Sequence, residues 1–215
     1  MRVVRMPRLW GAARLGFLGT AFLLGGCATA TPWQTPYNIT ALHSSVPVEA
    51  KNAPHTAQVV LQLASVSAPS WLDTNAYQYH LLYQNPQMLL SYRDARWVGT
   101  PAEMLDMRLL QHLQQSQHWK AVLSGQSSGA AQYVLRLHLS NFVVNFTAPQ
   151  AGQALIAGTA TLLNARNYQV IAQHAFQEIV PLKTASAAGG AAAMTQASSH
   201  FVGAVSAWAD QYQYQ

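Results

Sequence analysis

Few side chains in this 215-residue sequence are equipped to make or break bonds: one cysteine, Cys27, eight histidines and seven Asp/Glu. The histidines fall at His43, His55, His80, His112, His118, His138, His174 and His200. None stands in an HxH, HExxH or Cys/His spacing, so the pattern does not supply the converging ligands a zinc site needs. His112 and His118 are also badly placed to share one helix face. The Gly/Ser stretch Ser124-Gly125-Gln126-Ser127-Ser128-Gly129 falls between two strand-like segments, whereas a hydrolase serine sits on a strand-to-helix elbow. The carboxylates are scattered singly, which leaves paired acid–base catalysis little to draw on. Gly189-Gly190 lies in an alanine-rich stretch and matches no phosphate-binding glycine pattern. The sequence therefore predicts no catalytic residue, no metal and no resident cofactor. The chemistry left is that of one thiol.

That thiol follows a distinctive leader. Arg2, Arg5, Arg8 and Arg14 make a positive start, Leu15 to Leu24 an apolar run, and Gly25 and Gly26 a small-residue approach. These are the three parts of a secretory signal. An apolar run of about ten residues is too short to span a bilayer core. Leu24-Gly25-Gly26-Cys27 resembles the lipobox of bacterial lipoproteins. The resemblance implies cleavage between Gly26 and Cys27, with a covalent diacylglycerol and an N-acyl chain on the cysteine. Several acyl chains give stable anchoring where one is marginal. Ala28, standing where an Asp often signals inner-membrane retention, implies the outer membrane, with the domain facing the periplasm. A lone cysteine also excludes an intramolecular disulfide.

The formal charge of +5 belongs to the leader. From Cys27 onward there are eight Lys/Arg against seven Asp/Glu, so the mature chain is close to neutral. It has no basic run, which excludes nucleic acid as an expected partner. Only 9% of residues are charged, against about a quarter in ordinary soluble proteins. Such a weakly charged surface suits a subunit that works against partners.

Three regions follow: a signal peptide at 1–26, a lipid-anchored tether at 27–56 and a single domain at 57–215. The tether is rich in Thr, Pro and Ser, with a short strand expected at Tyr37 to Leu42. About 29 flexible residues would average roughly 30 Å and stretch to about 95 Å. In the domain, β-branched and alternating segments predict strands at 58–66, 77–83, 87–92, 119–123, 133–139 running on toward 146, 154–163 and 168–178. Asn85-Pro86 predicts a hairpin turn. Thr100-Pro101-Ala102-Glu103 combines an N-cap, an N1 proline and a capping-box Glu, followed by Leu105, Leu109 and Leu113 at four-residue spacing. This predicts a helix over 101–116 that can cross over to a parallel neighbour. The stretch 185–193 reads as a Gly/Ala loop before a final helix with Met194, Ala197, Phe201, Ala204, Val205 and Trp208 on its apolar face. The fold class is α/β (α+β): a mixed, largely antiparallel sheet covered by two main helices.

Trp71-Leu72-Asp73, then Tyr92-Arg93-Asp94-Ala95-Arg96-Trp97, Pro101 with its helix, Tyr133 to Leu137 with Phe142, and a terminal alanine-rich helix together resemble the ABC-type transport auxiliary lipoproteins, the PqiC-like family. The likeness covers about residues 37–210. It implies an outer-membrane accessory subunit of a lipid transport system, with an MCE-domain protein and an ABC permease and ATPase as partners, and members that assemble as homo-oligomeric rings. Trp71, Leu72, Tyr92, Arg93, Arg96 and Trp97 are the candidate partner interface, because Trp, Tyr and Arg concentrate at interface centres. The same residues could instead close the end of the sheet as core. Two other functions fit the same anchor: a structural lipoprotein of a secretion or polysaccharide-export assembly, and a lipid-binding carrier, which needs an apolar cavity of several hundred Å³.

Overall fold

The computed structural model describes residues 33–40, 58–116 and 118–213. Its elements in chain order are β1 (Thr35–Tyr37), β2 (Val60–Leu63), β3 (Ala76–Leu81), β4 (Leu89–Trp97), α1 (Pro101–Gln115), β5 (Ala121–Leu123), β6 (Tyr133–Ala148), β7 (Ala151–Asn164), β8 (Val170–Pro181) and α2 (Ala187–Ala209). The sheet is mixed. Its antiparallel pairings β6–β7 and β7–β8 run almost the length of the strands, whereas each parallel pairing spans three residues. The fold class read from the sequence is borne out.

β6, sixteen residues long, organises the sheet: burial alternates along its first half from Leu135 and is continuous from Phe142 to Phe146. A register shift between Leu139 and Asn141 hands the inward face from Leu135, Leu137 and Leu139 to Phe142, Val144 and Phe146. One extra residue is what such a phase change requires. β7 occupies one edge of β6. On the other edge β2 pairs with Tyr133–Leu135, Ser67 bridges to His138, and β3 pairs with Val144–Phe146. β2 and β3 thus follow one edge in the same direction as a single interrupted strand, and residues 68–75 leave that edge and return to it.

Both helices contribute to one hydrophobic cluster with the inward face of the sheet. In α1, Met104, Leu105, Leu109 and Leu113 are buried. Leu109 is fully enclosed, so Leu109→Ala would cost about 2–5 kcal/mol. The helix begins as its sequence dictates: Thr100 Oγ1 accepts from the Glu103 amide, and Glu103 Oε2 accepts from the Thr100 amide at 2.9 Å. In α2, Met194, Ala197, Phe201 and Val205 are fully buried. Its buried Ser198 is satisfied by donating to the Met194 carbonyl one turn back, at 2.8 Å.

Three expectations are corrected. First, α2 starts at Ala187, capped by Ser186, so Gly189 and Gly190 lie within a helix and not in a loop. Their lack of a side chain lets the helix lie against Thr184 and Tyr77. Second, α1 does not cross from β4 to a parallel neighbour of β4. β5 sits across the sheet from β4, beside β2, and runs opposite to β4. Third, the ordered domain does not begin at 57. β1 pairs in parallel with β4, Thr35 against Ala95 and Tyr37 against Trp97, and Ile39 is fully buried. The remaining 41–56 of the expected tether and all of 1–32 lie outside the described residues.

Candidate functional site

The detour at 68–75 is a folded feature. Pro69 opens a single 3-10 turn over Ser70–Leu72. The Leu72 amide donates to the Pro69 carbonyl at 2.9 Å, and Gln78 Nε2 donates to the Trp71 carbonyl at 3.1 Å. Leu72 plugs into the core, while Trp71 stays 41% exposed. Beside it, an open cleft of about 600 Å³ runs between the end of β2, the Val98–Thr100 link and the first turns of α1. Asp73, Glu103 and Asp106 line it, three of the seven acidic residues in the chain. Asp106 Oδ1 accepts from the Val66 amide at 3.0 Å, and Glu103 is the helix cap. Val98 and Met107 expose apolar surface on the lining. A wall with three carboxylates disfavours a lipid phosphate, and it is not the dry apolar chamber that an acyl chain requires.

The second stretch of the expected interface reaches the same part of the sheet. The Trp97 amide donates to the Asn75 carbonyl at 2.8 Å, and Ala76 faces Arg96. Trp97, however, is core. Its ring packs on Tyr77 at 4.3 Å between centroids and edge-on to Phe142 at 5.4 Å. Tyr92 is half-buried against Tyr77 and Tyr79. Burial pushes its phenol up to about 12, helped by the neighbouring Tyr79, Tyr37 and Asp94. Burial likewise pushes Tyr77 well up, so both phenols stay neutral and serve packing. Arg96 Nη1 donates to the Trp97 carbonyl at 3.3 Å. Arg93 is exposed, and its carbonyl accepts from Gln34 Nε2 at 3.0 Å. Of the six residues, Trp71 and Arg93 remain available to a partner. Leu72 and Trp97 are withdrawn from any surface because they fill the core, which corrects their place in the expected interface. Cys27 and Gly26 lie outside the described residues.

Two positioning groups escape sequence reasoning. Arg108 is half-buried between α1 and α2, where it donates to the Ile39 carbonyl and to Ser199 Oγ. Burial pushes its guanidinium down, and among the described residues no carboxylate pairs with it. Asp210, at the end of α2, accepts from Trp119 Nε1 at 2.8 Å and pairs with His118 Nδ1 at 3.0 Å. Burial pushes its carboxyl up, and His118, Trp119 and His112 oppose that. Both contacts join residues 91 positions apart, a distance that no local pattern encodes. Among the described residues no three His, Cys, Asp or Glu side chains converge as metal ligands, and no helix is long and apolar enough to cross a membrane.

Comparison with known proteins places the chain in a family. The chain belongs to the ABC-type transport auxiliary lipoprotein component family, which matches residues 41–206. Its fold is similar to a crystal structure of a Xanthomonas campestris protein of the DUF330 family, at 23% identity and TM-score 0.64, covering 73% of this chain and 88% of that one. It is also similar to an uncharacterized protein at 15% identity and TM-score 0.59, covering 70% and 92%. At these identities the likeness shows the fold alone. No functionally curated protein matches the chain.

Proposed function

We propose that this chain is a non-enzymatic accessory subunit of an MCE-type, ABC-driven lipid transport system, held at the outer membrane by acyl chains on Cys27 with its domain in the periplasm. The observation that carries the reading is the family match across nearly the whole domain. The lipobox at Leu24–Cys27 and the absence of Asp after the cysteine support the anchor and its membrane. The function is positional: the domain presents Trp71 and the carboxylate-lined cleft to a protein partner, and the acyl chains fix where that happens. The test is crosslinking in native cells followed by purification of the lipidated protein from membranes. An MCE-domain protein among the crosslinked products is expected. Its absence, when the protein itself is recovered acylated, overturns the reading.

A further inference from the structure

The point where the chain enters the domain sets how far the domain can stand from its anchor. Gln34 is tied to the Arg93 carbonyl. Thr35–Tyr37 is a strand of the sheet, the Val98 amide donates to the Tyr37 carbonyl at 2.9 Å, Ile39 is buried and Arg108 holds its carbonyl. Only residues 28–33 separate Cys27 from this weld. Seven Cα steps, fully extended, reach about 25 Å, where a free tether to residue 56 would reach about 95 Å. Part of that reach is spent inside the headgroup layer, roughly 5–8 Å deep per leaflet.

The residue at the mouth of this short link is Trp33, 88% exposed. An indole has an apolar body and one polar N–H, the chemistry that settles at a membrane–water interface. The link Ala28-Thr29-Ala30-Thr31-Pro32 carries no charge, and the first acidic residue after Cys27 is Glu49, so no charge in the link opposes contact with anionic headgroups. Arg93, exposed at the same corner through its bond to Gln34, offers a cation to phosphates beside the single acid Asp94. We propose that Trp33 and the β1–β4 corner seat on the lipid leaflet that holds acylated Cys27, so that the domain works against the bilayer surface and not at a distance from it. This rests on the lipid-anchored part of the function proposed above and adds the domain's contact with lipid.

The test uses the full lipidated protein in phosphatidylethanolamine–phosphatidylglycerol vesicles whose acyl chains are brominated near the carbonyl end. Mass spectrometry first establishes whether Cys27 carries its acyl chains. Tryptophan fluorescence of the wild type is then compared with that of Trp33→Phe, a change at an exposed side chain that leaves the core alone. Expected is quenching in the wild type that Trp33→Phe loses, and that weakens when about twenty Gly/Ser residues are inserted between Ala30 and Thr31. Equal quenching in wild type and Trp33→Phe, in acylated protein, overturns the seating while leaving the anchor intact. A native protein without acyl chains overturns the anchor and the seating together.

Discussion

Replacing Gly190 by alanine inverts an ordinary expectation. In a helix interior, alanine is favoured over glycine by about 1 kcal/mol. At Gly190 a Cβ would press inside van der Waals contact on the Tyr77 hydroxyl and meet Val144 Cγ2 at 3.1 Å. Tyr77 cannot step aside. It is fully buried, its ring is held among Tyr37, Tyr92 and Trp97, and its hydroxyl donates to the Ala187 carbonyl at 3.0 Å. A clash this close on a ring that cannot move belongs in the upper part of the overpacking range, about 2–3 kcal/mol, so Gly190→Ala is expected to destabilise the domain by about 1–2 kcal/mol after the helix preference is set against it. Tyr77→Phe alone loses one hydrogen bond, about 1 kcal/mol. It also removes the oxygen that the new methyl would strike, leaving the ring carbon Cζ at 3.5 Å. Gly190→Ala in the Tyr77→Phe background is therefore expected to cost close to nothing, a coupling of about 1–2 kcal/mol. Urea unfolding of all four proteins, followed by circular dichroism and tryptophan fluorescence, measures this, provided the denaturant slopes agree. Gly190→Ala as stable as the wild type, or effects additive within about 0.5 kcal/mol, would show that the helix is not pressed on Tyr77 as described.

Three further perturbations test other parts of the fold. Thr100→Ala removes the N-cap of α1 and half of its reciprocal box, and should cost about 1 kcal/mol in urea unfolding. Tyr168 holds a left-handed backbone, φ 58°, at the exposed β7–β8 turn. Tyr168→Gly should raise stability by up to about 1 kcal/mol, and a loss would mean that the exposed ring makes contacts worth more than the strain. Asp210 has a folded-state pKa raised above 3.8 by burial. A raised acid binds its proton more tightly in the folded state, so its contribution favours folding at low pH and fades as pH rises through the raised value. Asp210→Asn retains an oxygen acceptor for Trp119, and the stability of the wild type relative to this variant should fall as pH rises across the carboxylate range. A rise measured by denaturation at matched pH values would refute the assignment.

Where the chain's information is local, the sequence reads correctly. α1 is announced by Thr100, Pro101 and Glu103 and by leucines every fourth residue, and β6 by clean alternation from Tyr133. The misreadings share a different cause. β1 is three residues, Thr35-Pro36-Tyr37, in a proline-rich stretch; nothing in them signals that β4 offers a parallel edge or that Arg108, 69 positions on, holds the Ile39 carbonyl. Gly189-Gly190 has the weak helix propensity of a loop, yet stands in the first turn of a helix capped by Ser186, where Tyr77 and Thr184 leave no room for side chains. The strand pattern over 87–92 stops short of Trp97. β4 continues to Trp97, and a wide register shift between Gln78 and Ala76 turns that tryptophan inward. At the candidate site, the exposed Trp71 and Arg93 were readable as residue types, whereas the carboxylate-lined cleft was not. Asp73 and the α1 carboxylates Glu103 and Asp106 meet there only because the detour and the start of α1 end up side by side.

The interrupted strand along β6 has a consequence for how such a domain can diversify. Since the ladder breaks after Ser67 and resumes in β3, the interval between Ser67 and Ala76 can be rewritten at its exposed positions around Trp71, provided that Leu72 still fills the core and the Asn75 carbonyl still meets the Trp97 amide. It amounts to an interchangeable fitting on a fixed frame, and grafting a foreign segment there is the mildest way to redirect what the frame attaches to.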